Sequence, residues 1–145
     1  MSEVLFLKFN SQDAYDLGIQ MYEACQQQNV DLGIEIYLYG RTVFQFIPDS
    51  LGPDKADWLR RKRNTVLYFG MSTFAMNEKC KSEESLLATK YARKLEDYTL
   101  TPGSVPIILK DSGIVGCATV TGLAPQEDHD FVSAQLSEYF QRVEQ

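Results

Sequence analysis

The sequence predicts an α+β or α/β/α sandwich: an antiparallel sheet with helical cover. Three observations carry this. Two pairs of short β-prone segments are each joined by a tight turn, as antiparallel hairpins are. Amphipathic helical segments precede, separate and follow them. The phosphate-binding patterns GxGxxG and GxxxxGK[ST] are both absent, and the hairpins disfavour a parallel dinucleotide-binding sheet.

Val4 to Phe9 is short, apolar and β-prone, a strand or a packed arm. Asn10 or Ser11 offers an N-cap, and Ala14, Leu17, Gly18, Met21 and Cys25 follow at helical spacing, which predicts a helix over about 11–28. Leu32, Ile34, Ile36 and Leu38 then alternate with Gly33, Glu35, Tyr37 and Tyr39, a period of two. Gly40 turns the chain into a second strand, Thr42 to Ile47. After the loop Pro48–Pro53, Asp54 is placed to cap a helix running to about Phe69, with Gly70 as its stop. Ser82 to Leu95 reads as a further helix. Val105 to Lys110 and Ile114 to Thr121 form the second hairpin around Asp111–Gly113. The last helix spans about 126–143, with Val132, Leu136, Tyr139, Phe140 and Val143 as its apolar stripe.

The 145 residues fit one domain, read as 1–145, and carry 44% hydrophobic and 23% charged residues, close to globular averages. The net charge of −6 opposes general nucleic-acid binding. No apolar run reaches bilayer length, and the N-terminus lacks the basic and small-residue flanks of a signal peptide, so a cytoplasmic protein without membrane partners is expected. Three scattered cysteines and a single histidine argue against zinc fingers, disulfide scaffolds and HExxH sites, so no metal is expected. A Ser-His-Asp triad has only His129 to use, and no GxSxG precedes it.

Two clusters carry candidate chemistry. In Asp57–Asn64, Trp58, Lys62, Val66 and Phe69 share one helix face, so Lys62 interrupts an apolar stripe, with Arg61 on its flank. Such a lysine snorkels outward or meets an anion, for which Glu35 is a candidate. The helix face is then either a solvated basic surface or an anion pocket, with Arg61 giving bidentate contacts and Trp58, Lys62, Asn64 and Ser72 beside it. The second cluster, Glu127–Asp128–His129, opens the last helix; its acids suit a helix N-terminus, or form a polar or metal-binding cluster, a complete metal site then needing ligands from another segment or subunit. Ser72 and Thr73 also suit a helix cap. Cys80, flanked by Lys79 and Lys81, is the better candidate for a reactive thiol; Cys117 reads as core.

The ordered series Trp58-x-x-Arg61-Lys62-x-Asn64, Phe69-Gly70-x-Ser72-Thr73-Phe74, Asp97-Tyr98 with Pro106-Ile107, and Gly122-Leu123-x-x-Gln126-Glu127-Asp128-His129 resembles the uncharacterised branch of the haem-degrading-domain (GlcG/HbpS-like) superfamily. Gln12–Gly18 and Gly33–Ile36 add to the resemblance, which covers roughly residues 6–140. It implies a profilin-like or PAS-like three-layer α/β/α sandwich with an antiparallel sheet and helices on both faces, and a homo-oligomer, from dimers to rings of dimers. It also implies haem as a candidate cofactor. Family members often carry histidines where Met71 and Thr101 stand here, so histidine-ligated haem rests on His129 alone, or on a non-histidine ligand.

These residues support three functions. The first is an oligomeric protein binding a small anionic, tetrapyrrole-like molecule through Trp58, Arg61, Lys62, Asn64, Ser72, Glu127, Asp128 and His129. The second is an enzyme with His129 or Glu127 as acid or base and Arg61 steadying an anion. The third is an assembly or adaptor protein whose basic helix stabilises an interface.

Overall fold

A computed structural model describes residues 4–144; Met1–Glu3 and Gln145, the first of which belong to the segment read for a signal peptide, lie outside the described residues. The elements, in chain order, are β1 (Leu5–Phe6), α1 (Ser11–Gln28), β2 (Gly33–Leu38), β3 (Arg41–Phe46), α2 (Lys55–Phe69), α3 (Thr73–Lys79), α4 (Leu86–Thr89), β4 (Ser104–Leu109), β5 (Gly113–Thr121) and α5 (Pro125–Val143). The strands form one sheet in the order β1-β4-β5-β2-β3.

The pleat of β2 explains the layers. Ile34, Ile36 and Leu38 point to one face, where Leu17 and Met21 of α1 and Phe131, Val132 and Leu136 of α5 complete the main core. Glu35 and Tyr37 point to the other face, where α2 lies and Arg63 meets both. Because both faces are covered, even the charged member of β2 is buried: Glu35 is only 2% exposed. A smaller apolar cluster of Met76, Cys80, Leu87 and Leu100 binds α3 and α4 together.

Local chemistry sets the helix ends. Asn10 caps α1 reciprocally with Asp13, each side chain accepting the other residue's backbone N–H, and Asn29 closes the helix in a left-handed turn. Gly70 ends α2 at φ 73°, a conformation that suits glycine, and swings the next residues beneath the sheet edge. Ser72 caps α3, accepting the Ala75 N–H at 3.0 Å.

Four expectations are corrected. The sheet is mixed, because β1 runs parallel to β4 while every other pair is antiparallel. Asp54 makes no side-chain cap and bonds Lys55 instead. The helix expected over Ser82–Leu95 shrinks to α4, since Lys81 and Ser82 are left-handed before it and Ala92 after it, and Glu84 turns away to accept the Leu100 N–H. The ordered helix forms upstream instead, as α3. Cys80 is 2% exposed and packs as a hydrophobe, not as an accessible thiol.

Candidate functional site

The short β1 creates the site. It pairs only with Ile108 and Leu109, so the outer edge of β4 before them has no strand beside it. The turn after α2, the start of α3 and the exposed side of α5 close over this edge instead. They leave a cavity of about 350 Å³ lined by Val4, Gly70–Ser72, Ala75, Val105, Pro106, Ile108, His129, Ser133, Leu136 and Ser137. Ligand pockets begin at about 300 Å³ and are mostly apolar with a few placed polar groups, a description this cavity meets.

Two side chains in this lining bear soft or nitrogen donors, the Met71 thioether and the His129 imidazole. His129 stacks on Phe74, ring centroids 4.5 Å apart and 17° from parallel. Its Nε2 lies 3.4 Å from the Ser133 hydroxyl, and its Nδ1 is buried without a hydrogen-bond partner. Burial pushes the imidazolium pKa below its usual value, with Asp130 opposing. The ring is therefore neutral at pH 7 and able to coordinate or to exchange a proton.

Lys62 and Asp128 hold this helix end from beneath. Lys62 is 1% exposed; its ammonium donates to the Val120 carbonyl at 2.9 Å and to Asp128 Oδ2 at 3.2 Å. The other Asp128 oxygen accepts the Leu123 N–H at 3.0 Å. Burial drives the Lys62 pKa down and the Asp128 pKa up, and their mutual attraction opposes both shifts. The anion that meets Lys62 is thus Asp128, within the same chain. Glu35, the expected partner, faces Arg63 at 3.4 Å and accepts from Gln45 and Thr42.

The other predicted residues are placed as follows. Arg61 stacks over Trp58 at 4.5 Å and donates to the carbonyls of Leu95 and Tyr98. Asn64 donates to the Asp97 carbonyl. Together they pin the segment 95–98 to α2. Glu127 accepts the Ala124 N–H at the start of α5. Of the eight predicted residues, only Ser72 and His129 line the cavity. Sequence reasoning passed over Ser133 and Ser137, which share a helical face with His129, placed Leu136 only in the apolar stripe of the last helix, and treated Met71 only as a missing histidine. Among the described residues, no group of three or more His, Cys, Asp or Glu side chains is placed to hold a metal ion, and no helix is long and apolar enough to cross a membrane.

The architecture recurs in solved proteins. The Ybr137w protein superposes with a TM-score of 0.88 at 27% identity, covering 98% of this chain and 84% of that one. HbpS gives 0.71 at 14% identity (95% and 93% covered), and a PduOC:Heme complex gives 0.72 at 15% (92% and 94% covered), likenesses of fold. In sequence, a UPF0303 protein of Paraburkholderia phymatum is 33% identical over 92% of this chain and 81% of its own length. A second, of Psychromonas ingrahamii, is 32% identical over 99% and 90%. The family profile described as "Haem degrading protein HbpS-like" matches residues 9–137, and the chain belongs to this HbpS-like family.

Proposed function

We propose that the chain binds a haem-type tetrapyrrole in the cavity between β4, α3 and α5, with His129 and Met71 as the candidate iron-coordinating side chains. The observation that carries this reading is the cavity itself: an apolar lining in which a neutral, half-buried imidazole accompanies a thioether. Histidine and methionine are both established types of axial haem ligand. The PduOC:Heme neighbour, of the same fold, adds support.

The fit has a definite polarity. No lysine or arginine is among the lining residues, so the hydrophobic body of the ligand belongs inside and its carboxylates at the solvent-facing mouth. When bound, haem supplies an iron centre for coordination and electron transfer. The chain's own residues would bind and orient the group: Val105, Pro106, Ile108 and Leu136 would exclude water from it, and Phe74 stacks on the imidazole and holds its plane. Arg61, Lys62, Asn64, Glu127 and Asp128 support these walls through the contacts already described. The anionic character of the ligand is then met by solvent at the mouth.

Titrating haemin into the parent and two variants tests the assignment. His129→Ala is expected to weaken binding by roughly tenfold or more and to change the Soret band, and Met71→Leu to change the band with a smaller loss of affinity. Because the imidazole pKa is lowered, coordination by His129 persists below the ordinary histidine range and is lost only on further acidification. Spectra and affinities identical in parent and both variants would sink the assignment.

Self-association belongs to the same proposal. β3 pairs on one side only, leaving an open row of backbone donors and acceptors, and Tyr39 and Phe46 beside it are 52% and 37% exposed. Native mass spectrometry is expected to give a homo-oligomer; a monomer at every concentration would contradict it.

A further inference from the structure

Six arginines occur in the chain, and five of them reach an oxygen acceptor. Arg41 reaches Ser11, Arg60 two aspartates, Arg61 two carbonyls, Arg63 Glu35 and Arg142 Gln20. Arg93 is the exception among the described residues. Its guanidinium lies 4.4 Å over the ring of Tyr68 and 5.8 Å from that of Tyr98, with no oxygen bonded to it and its Nε–H buried without a partner. The two rings are themselves 5.9 Å apart.

The surroundings hold the group in place. Arg93 donates its backbone N–H to the Leu87 carbonyl at 2.7 Å, just after Ala92 in a left-handed turn. Tyr68 continues edge-to-face into Phe69, and Phe69 into Tyr91, over which Lys90 sits at 5.5 Å. Lys90 and Lys94 flank Arg93 in sequence, and of the acids that follow, Asp97 is already engaged by Arg60. None of these residues lines the cavity.

We propose that the face formed by Tyr68, Arg93 and Tyr98 docks an acidic segment of a partner protein, one carboxylate seating end-on against the guanidinium. A guanidinium clamped by aromatic rings has already lost most of its rotamer freedom, and its planar fork matches a carboxylate. Tyr68 is 52% exposed and supplies an amphipathic surface beside the charge; tyrosine and arginine are the residue types that dominate binding hot spots. The partner is a protein rather than a nucleic acid because the chain's acidic field opposes a dense polyanion, while a carboxylate flanked by apolar groups suits an aromatic rim.

The test measures fluorescence anisotropy of a short labelled peptide of alternating glutamate and leucine, at low and at physiological ionic strength, against labelled oligothymidylate of equal length. Saturable peptide binding is expected, weakened by salt, and reduced roughly tenfold or more by Arg93→Gln. Arg93→Lys keeps the charge but loses the fork, and a comparable loss is expected there. Circular dichroism confirms folding; should Arg93→Gln fail to fold, the lysine variant carries the decision. Absence of saturable peptide binding, or equal binding by the parent and the folded Arg93 variants, overturns the proposal. Oligothymidylate binding tighter than the peptide and lost on Arg93 substitution overturns it in favour of nucleic acid.

Discussion

Replacing Lys62 with methionine is expected to lower stability by about 3–5 kcal/mol, the scale for breaking a fully buried ion pair on one side only. The aliphatic stem fits the space, but Asp128 is left 1% exposed with no cation, and the Val120 carbonyl loses a donor. Asp128→Leu alone is the mirror experiment and strands the ammonium. The double variant returns most of the loss, falling short by the Leu123 N–H that Asp128 also serves. Urea unfolding of the four proteins at neutral pH measures the cycle, and a coupling of about 2–3 kcal/mol is expected. Additive losses would mean that the two side chains act independently. The functional consequence lies one residue further on: Asp128 anchors the first turn of α5, and His129 rides on that turn.

Gly116→Ala is the second large effect. Gly116 sits in the middle of β5, opposite Leu38 of β2 and Ile107 of β4. A Cβ there would collide with the Tyr37 carbonyl oxygen and lie 3.0 Å from Leu38 Cα, both backbone atoms of the neighbouring strand. Neither can rotate aside as a side chain would, so two central strands must part. A loss of about 3 kcal/mol or more, with poor recovery of folded protein, is expected from such overpacking. A thermal midpoint equal to the parent's would show that the strands separate freely at this point.

Much of this fold was legible because periodicity and punctuation agree locally. Asn10, Gly70 and the Asp111–Gly113 turn mark element ends that the structure reproduces within a residue or two. The segment 82–95 was misread because the left-handed Lys81, Ser82 and Ala92 carry no glycine to announce them, and because Glu84 gives its carboxylate to the distant Leu100 N–H. The parallel pairing of β1 with β4 depends on residues a hundred positions apart, and nothing local encodes it. The helix face that Lys62 interrupts left two readings open, a snorkelling lysine or one that meets an anion, and the packing of α2 against β5 decides for the second. The lysine's partner was not legible, because Glu35 and Asp128 are both acids and only the packing of α5 against β5 decides between them. The cavity was least legible of all: it arises from the shortness of β1, and its histidine stands on a helix turn whose acids have an ordinary capping explanation.

Titrating the purified parent chain with haemin and following the Soret band shows whether the cavity at the β4 edge takes a haem-type tetrapyrrole. Saturation at one haemin per chain, with a shifted band that Met71 and His129 control, is the predicted result. A flat titration, with haemin absorbing as it does free in buffer, would show that the cavity takes no haem.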